Sequence, residues 1–423
     1  MMMAAVRGTR LGFLILSLSI SLSADQSLRP TANPIPPLLF GLHIHRLAST
    51  TPWPSVEFGT LRLWDAGAAW PNVEPQPGRW DFSNVDRYIS AAEQHHVQIL
   101  MPIALSPVWA SSRPDEKSSY GPGNAAPPKN LDDWRNYVRT VATRYRGRVH
   151  YYEIWNEPNL RDFFTGSPEQ LVTLTREAQQ ILKQVDPSNR VISPSATGEG
   201  GLTWLDNFLA AGGARYVDII GYHLYVTPNP PEDMVSLTER VWGIMSQHGI
   251  RSYELWDTES GWRLANHNTE VKPIGNSGFS SKVLADTDAS GYIARAYVLL
   301  WASGVSRFYW YAWDNGVMGL TEADGRTIKP PAIAYGQIEN WLVGARMTSC
   351  GSDNAGTWNC QITRQGGYVG RIMWNPSKSA DVPLPGSWGV REVRDLAGNR
   401  HGMSGAKSVR ISSTPVLLDN AAQ

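Results

Sequence analysis

Two stretches of the sequence, YYEIWNEPN at residues 151–159 and YELWDTESGW at residues 253–262, carry the strongest indication of the fold. Each begins as a short apolar run of the kind that forms a buried parallel strand, and Pro158 or Gly261 then interrupts the strand. From about residue 38 onward such runs alternate with amphipathic stretches, which is typical of repeated βα units. The sequence therefore predicts a parallel sheet whose strands alternate with helices.

Eight apolar runs predict strands, at residues 39–43, 60–64, 97–103, 149–155, 190–194, 217–222, 252–258 and 307–311. Helical patterns lie between or after them, at residues 85–95, 132–146, 168–185, 204–211, 233–247, 287–302 and 331–342. Eight strands with about as many helices favour a (β/α)8 TIM barrel over an open doubly wound sheet. Nucleotide-binding folds are disfavoured because no Gly-x-Gly-x-x-Gly follows the first strand and no phosphate-binding Gly-Lys-Ser/Thr loop occurs.

Four segments follow from changes in composition along the chain. Residues 1–24 read as a signal peptide, residues 25–37 as an extended, Pro-rich lead-in, and residues 38–344 as the barrel. Residues 345–423 contain short strand patterns broken by Gly, Pro, Asn and Asp, which predict a small β-sandwich-like domain.

The N-terminus carries the marks of export. Arg7 and Arg10 precede an apolar run at residues 11–20, which is about half the length that a membrane span needs. We expect cleavage near Ser23 or Ala24 and a secreted or periplasmic protein with no membrane association afterwards. In that oxidising compartment Cys350 and Cys360, the only cysteines, are expected to form a disulfide that closes a hairpin or loop, and a metal or catalytic role for them is disfavoured.

Charge and aromatic content narrow the class of ligand. The chain has 38 Lys+Arg against 38 Asp+Glu, so it is neither a disordered chain nor a polybasic nucleic-acid or membrane binder. It has 18 Trp and 16 Tyr against 9 Phe, a bias that suits a sugar groove, a protein interface or a membrane belt. Because no second apolar span exists, the membrane alternative falls away, and the zero net charge mildly favours a neutral polysaccharide.

Two glutamates follow strands that would face each other across the barrel mouth. Glu157 follows the fourth predicted strand and Glu259 the seventh, and the chemistry of such barrels lies at the C-terminal ends of the strands. A carboxylic acid and a carboxylate that meet over a cleft are what cleavage of a glycosidic bond requires. The alternative is that both are structural glutamates held in ion pairs.

The residues around these glutamates carry a resemblance to a known group of enzymes. IWNEP at residues 154–158, WDTESG at 256–261 and HLY at 223–225 resemble the clan A glycoside hydrolases. Together with GLHIH at 41–45, they are most similar to glycoside hydrolase family 39 and related bacterial exopolysaccharide endoglycosidases. The resemblance implies a retaining O-glycosidase that acts on a polysaccharide or oligosaccharide, with Glu157 as general acid/base and Glu259 as nucleophile.

The same resemblance implies roles for further residues. Asn156 is similar to the asparagine that bonds the substrate 2-hydroxyl, and Arg62 to the arginine that keeps the nucleophile ionised. His223 and Tyr225 match a His-x-Tyr motif whose histidine lies by the acid/base and whose tyrosine bonds the nucleophile. Trp313, after the eighth strand, matches a tryptophan that forms the floor of the sugar subsite.

Position alone suggests other substrate-binding candidates. His43 and His45 lie on one side of the first strand, and a sugar contact for His43 is favoured over a zinc site because no third ligand is evident. Trp262, like Asp65 and other residues after strands, either lines a subsite or packs in the barrel. The Pro-rich loop at residues 109–128 could form a wall of the cleft.

No metal or organic cofactor is required by this chemistry, and we expect a monomer. Two alternatives remain open. One is a noncatalytic polysaccharide-binding protein with the same Trp-lined cleft, and the other is a transglycosylase that uses the same two glutamates.

Overall fold

The computed structural model describes residues 26–28, 30–268 and 282–421. The predicted signal peptide therefore lies outside the described residues. Within the described ranges no helix is both long enough and apolar enough to span a bilayer. The first described strand, β1 (Gln26–Leu28), pairs with a strand of the C-terminal domain, so the lead-in joins that domain.

A closed parallel barrel forms the larger part of the chain, as the sequence predicts. Its strands are β2 (Phe40–His43), β3 (Thr60–Arg62), β4 (Gln98–Ile103), β5 (Tyr151–Ile154), β6 (Arg190–Ile192), β7 (Ala196–Thr197), β8 (Ile219–His223), β9 (Glu254–Ser260) and β10 (Val305–Trp310). The two short strands β6 and β7 share the fifth position, and both pair with β8. The barrel closes where β10 pairs with β2. This arrangement is a (β/α)8 barrel.

Helices surround the barrel: α1 (Trp70–Val73), α2 (Ser83–Gln94), α3 (Leu131–Arg144), α4 (Pro168–Val185), α5 (Gly198–Ala210), α6 (Asp233–Gln247), α7 (Asp286–Ala302) and α8 (Pro330–Leu342). Short 3-10 turns occur at Pro37–Leu39, Gly213–Tyr216, Gln365–Gly367 and Gly386–Trp388. Helix α4 begins with a capping box between Ser167 and Gln170, which satisfies backbone N–H groups that would otherwise lack partners. Its amphipathic pattern then runs unbroken to Asp186.

The C-terminal domain is antiparallel and β-sandwich-like. Its remaining strands are β11 (Arg346–Ser352), β12 (Trp358–Arg364), β13 (Tyr368–Trp374), β14 (Ala380–Pro383), β15 (Glu392–Arg394), β16 (Arg400–Gly402), β17 (Ser408–Ile411) and β18 (Val416–Asp419). Seven strands form one sheet in the order β1-β11-β12-β13-β18-β15-β16, and β14 pairs with β17 in a separate ribbon. Side chains of Met373, Val409, Ile411 and Leu418 form a core between ribbon and sheet.

The predicted disulfide is present. Cys350 on β11 and Cys360 on β12 are directly opposed in the antiparallel register, and their sulfur atoms are bonded. The bridge closes a hairpin, as the sequence suggests.

Buried polar contacts anchor the C-terminal domain to the barrel. The indole N–H of Trp374 donates to Glu232 at 2.8 Å, and Arg295 of α7 binds the same carboxylate at 3.0 Å. Gly291 lets the chain approach α7 closely, because a Cβ there would lie 2.9 Å from the carbonyl oxygen of Ser413. The domain is thus packed against the barrel rather than tethered to it.

Candidate active site

The two predicted glutamates face each other at the mouth of the barrel. Glu157 lies just after β5 and Glu259 near the end of β9, and they are only 8% and 6% exposed. A carboxylate oxygen of each lies within 4.8 Å of the other, with a ring nitrogen of His223 inside the same limit. The fold therefore brings together two carboxyl groups that are 102 positions apart in the sequence.

Both oxygens of Glu259 accept hydrogen bonds. Arg62, at the end of β3, donates from Nη1 to Oε2 at 2.8 Å, and the Tyr225 hydroxyl donates to Oε1 at 3.1 Å. Hydrogen bonds to a carboxylate, and a cation beside it, favour its ionised form. The surroundings of Glu259 therefore suit a carboxylate that stays charged.

Arg62 is completely buried and makes three charge-assisted bonds. Besides Glu259 it donates to Glu153 at 2.6 Å and to the Asn156 side-chain oxygen at 2.7 Å. Although burial lowers the pKa of Arg62, the charges of Glu153 and Glu259 raise it above its usual value. Arg62 thus supplies a permanent positive charge that orients Asn156 and the nucleophile candidate together.

Glu153 is a functional residue that the sequence argument missed. It lies in the middle of β5 with no exposure, and its other oxygen accepts from Ser195 at 2.5 Å and Thr258 at 2.7 Å. An acidic residue in the middle of a buried strand needs a cationic partner. The glutamate within this apolar run of the sequence could therefore have indicated a buried ion pair. Its contacts hold Arg62 in place from below the mouth.

Glu157 is held by its backbone and by a histidine. Its φ is 41°, a left-handed value that costs energy for a residue with a side chain, and its N–H donates to the Ser195 carbonyl at 2.9 Å. Nδ1 of His223 lies 3.0 Å from Oε1 of Glu157. Burial lowers the pKa of His223, and the charge of Arg62 lowers it further against the raising effect of Glu157, so the ring is neutral.

The two carboxyl groups are coupled. Burial raises the pKa of Glu259 well above its usual value, the charge of Glu157 raises it further, and Arg62 and Tyr225 oppose the rise. Two buried carboxylates so close together cannot both be charged without a large penalty.

A cavity of about 120 Å³ opens over this pair. Its wall is formed by Trp64, Asp65, Tyr120, Asn156, Glu157, Phe163, Glu259, Arg263, Tyr311, Asn315, Val317 and Met318. Aromatic faces combined with carboxylate and amide groups are suited to a sugar ring, which presents both C–H and hydroxyl groups.

Comparison of the sequence with known proteins gives further evidence about the chain. The model of glycosyl hydrolases family 39 matches residues 63–240. A β-xylosidase of Geobacillus stearothermophilus is 24% identical over 240 residues, which are 49% of this chain and 46% of the relative. A β-xylosidase of Caldicellulosiruptor saccharolyticus is 29% identical over 156 residues, 35% of this chain and 32% of the relative. The chain is similar to the family 39 glycosyl hydrolases over this part of its length.

Solved structures of other proteins have the same fold as this chain. A family 39 glycoside hydrolase of Bacteroides cellulosilyticus WH2 superposes with a TM-score of 0.70 at 19% identity, covering 91% of this chain and 81% of the other. A monomeric β-xylosidase of Caulobacter crescentus CB15 gives 0.64 at 18% identity, covering 93% and 97%. By contrast, the chain spans less than half the length of the two curated relatives named above.

Of the predicted binding residues only Asn156 lines the cavity. Arg62, His223 and Tyr225 contact the two glutamates instead, and the remaining three lie elsewhere. His43 is fully buried, and its Nε2 donates to the Thr258 carbonyl at 3.0 Å. Trp313 is 2% exposed and packs in the barrel core. Trp262 is equally buried, and its indole N–H donates to the Asn229 carbonyl at 2.9 Å.

The aromatic wall is instead supplied by four residues from the segments that follow β3, β4, β5 and β10. Strand β10 ends at Trp310, so Tyr311 is the residue at the mouth and Trp313 already lies beyond it. Trp64 and Phe163 complete the wall together with Tyr120, which comes from the predicted wall-forming loop. In this cavity Tyr311, and not Trp313, is the aromatic residue that follows β10.

Glu157, His223 and Glu259 would also satisfy the spacing of a metal site. However, Arg62 lies 2.8 Å from Glu259 and already provides the positive charge that a cation would bring. The electrostatics of the site therefore disfavour a divalent ion there.

Proposed function

We propose that the protein is a retaining glycoside hydrolase that cleaves O-glycosidic bonds through a glycosyl-enzyme intermediate. The observation that carries this proposal is the separation of the two carboxyl groups, whose nearest oxygens lie within 4.8 Å. Retaining enzymes place their carboxyl groups about 5 to 5.5 Å apart, whereas inverting enzymes leave about 6.5 to 9.5 Å for a water molecule. Direct attack by Glu259 is therefore favoured over attack by water.

In the first step Glu157 is the acid. The proposal assigns the acidic proton to Glu157, because Arg62 and Tyr225 both donate hydrogen bonds to Glu259 and favour its charged form. Glu157 gives this proton to the glycosidic oxygen as the bond from that oxygen to the anomeric carbon breaks, and an oxygen of Glu259 bonds to the same carbon. The leaving group departs as an alcohol, and the sugar remains as an ester of Glu259.

In the second step the roles reverse. Glu157, now a carboxylate, takes a proton from water while the water oxygen attacks the anomeric carbon and the ester bond to Glu259 breaks. The neutral ring of His223 stays beside Glu157 and adds no charge to this exchange. Arg62 and Tyr225 receive the released carboxylate, which restores the starting state.

A β-xyloside is the first substrate to test. Two relatives are named β-xylosidases, and a third, from Humicola insolens, is named an endo-1,4-β-xylanase. The small cavity with its aromatic wall fits a single pyranose ring. We also propose that the protein acts after export, on a polysaccharide or oligosaccharide outside the cytoplasm, and as a monomer.

Azide rescue tests the assignment of the two glutamates. Glu259→Ala should reduce hydrolysis of an aryl β-xyloside by about 10⁴-fold, and added azide should restore turnover with a glycosyl azide of inverted configuration. Glu254→Ala is the matched control, since this glutamate lies on the same strand but at its opposite, exposed end. An unaffected rate in Glu259→Ala would refute the nucleophile assignment.

The two alternatives are separated by product analysis. A noncatalytic binding protein would bind oligosaccharides without any product, and a transglycosylase would give longer products when a sugar acceptor is added. The proposal requires monosaccharide or oligosaccharide release in the absence of an acceptor.

A further inference from the structure

The side chain of Tyr120 stands between two cavities at the barrel mouth. One is the cavity over the two glutamates, and the other, of about 30 Å³, lies between the loop that follows β3 and the end of β4. Trp64, Asp65 and Tyr120 contribute to the walls of both. Tyr120 therefore forms part of a partition, and the nearest space beyond the active-site cavity lies behind it.

The carboxylate of Asp65 holds Tyr120 in this partition through a hydrogen bond. Asp65, whose φ is 55°, accepts from the Tyr120 hydroxyl at 2.6 Å on one oxygen and from the Tyr311 hydroxyl at 2.6 Å on the other. Hydrogen bonds to a charged acceptor are about twice as strong as neutral ones. These bonds connect the loop that carries Tyr120 with the ends of β3 and β10.

The ring of Tyr120 is partly exposed to solvent, although its hydroxyl is hydrogen-bonded. Its centroid lies 5.4 Å from Trp64 and 5.8 Å from Phe163, yet the residue is 43% exposed. Trp64, by comparison, is 4% exposed and belongs to the segment that follows β3. Of these aromatic neighbours, Tyr120 is thus the one whose removal would least disturb the core.

The partition lies on the nucleophile's side of the pair. Trp64 and Asp65, which share the partition with Tyr120, follow Arg62 in the chain. The guanidinium carbon of Arg62 lies 5.6 Å from the centroid of the Trp64 ring, and its Nη1 donates to Glu259 at 2.8 Å. A substrate must place its glycosidic oxygen beside the acid Glu157, so the leaving group lies on the Glu157 side and the rest of the sugar chain lies away from it. Tyr120 therefore blocks the end of the cavity where the non-reducing side of the sugar would continue.

We propose that Tyr120, held by Asp65, is a specificity-determining residue that limits this side of the active site to one sugar ring. The inference rests on the proposed glycosidase function. With the partition in place, a chain can enter only by its non-reducing end, so single sugars are released. Without it, the two cavities join into a groove that accepts a further ring.

Product lengths and relative rates test this inference. The substrates are p-nitrophenyl β-xyloside and xylotetraose, and the variants are Tyr120→Ala, which opens the partition, and Tyr120→Phe, which keeps the ring but removes the bond to Asp65. Val108→Ala is the control, an exposed apolar residue just before the same loop and not part of either cavity wall.

The unsubstituted protein should release xylose alone from xylotetraose. Tyr120→Ala should release xylobiose or longer products as well, and should raise the kcat/KM for xylotetraose relative to the aryl xyloside by about tenfold. Tyr120→Phe should lie between the two, and Val108→Ala should match the unsubstituted protein in both readouts. Xylose as the sole product of Tyr120→Ala, with an unchanged ratio, would overturn the inference.

Binding in an inactive background separates this inference from the proposed function. In the Glu157→Gln background, calorimetry should show that the further substitution Tyr120→Ala tightens the binding of xylotriose more than that of xylose. Turnover with unchanged specificity in Tyr120→Ala contradicts the inference alone. If the unsubstituted protein neither cleaves nor binds any of these sugars, the proposed function fails and the inference fails with it.

Discussion

Asp257 is a buried carboxyl group whose protonation should control the stability of the barrel. It lies two residues before Glu259 on β9, with no exposure. One oxygen accepts from the Ser260 hydroxyl at 2.9 Å and from the Leu224 N–H at 3.3 Å, while the other has no hydrogen-bond partner among the described residues. Burial raises its pKa from 3.8 to about 8, against the lowering effect of these hydrogen bonds and of Arg62.

The size and sign of the effect on stability follow from the linkage between proton binding and folding. At pH values below the usual pKa both the folded and unfolded states hold the proton, and Asp257 costs nothing. Between that value and about pH 8 the unfolded chain loses the proton while the folded one keeps it, so stability falls as pH rises. Each pH unit in this range lowers the free energy of unfolding by about 1.4 kcal/mol, so about four units lower it by roughly 5 to 6 kcal/mol.

The substitution Asp257→Asn isolates this contribution. Asparagine can accept the same bonds from Ser260 and Leu224, yet it cannot ionise. The free energy of unfolding of Asp257→Asn, measured by urea titration with tryptophan fluorescence, should match that of the unsubstituted protein near pH 4. The variant should then become progressively more stable than the unsubstituted protein up to about pH 8, with no further gain above it.

An exposed carboxylate provides the control for this prediction. Asp381→Asn removes an exposed carboxylate of the C-terminal ribbon and should give a difference that varies little with pH. If the difference between Asp257→Asn and the unsubstituted protein stays constant from pH 4 to pH 9, Asp257 is ionised in the folded state and the reasoning is refuted.

Two further predictions concern the support of the site and of the C-terminal domain. Glu153→Gln should lower kcat by about tenfold or more with a smaller change in KM, since Arg62 loses one of its two charged partners. An unchanged kcat and pH profile would show that Glu153 is dispensable. Replacing Cys350 and Cys360 together by serine should lower the free energy of unfolding by about 2 to 3 kcal/mol in thermal or urea melts, because an entropic constraint on the unfolded chain is lost. The same double variant should keep its kcat, and a large loss of activity would contradict a purely structural role for the bridge.

The sequence predicts elements well where a single periodic pattern spans the whole element. Helix α4 runs from Pro168 to Val185 as predicted, since its cap, its amphipathic pattern and its terminal Asp186-Pro187 agree. Helix α5 begins at Gly198, six residues before the predicted start, because the segment GEGG reads as a loop when its packing is unknown. Local pattern alone cannot show that tertiary contacts override such glycines.

Within the site, the sequence predicts the residues whose place on a strand is fixed by local pattern. Arg62, Tyr225 and Glu259 meet as the resemblance implies. Trp313 does not line the cavity, because the end of β10 determines which residue reaches the mouth, and that boundary depends on pairing with β2 and β9. The contact between Tyr120 and Asp65 joins residues 55 positions apart, so no local pattern could predict it.

The stereochemistry of the first product tests the central claim most directly. Proton NMR of the reaction on p-nitrophenyl β-xyloside, recorded in the first minutes before the released sugar mutarotates, identifies the anomer that leaves the enzyme. A Glu157–Glu259 pair with oxygens within 4.8 Å predicts β-xylose, since two displacements restore the configuration. Initial release of α-xylose would mean a single displacement by water and would contradict the account.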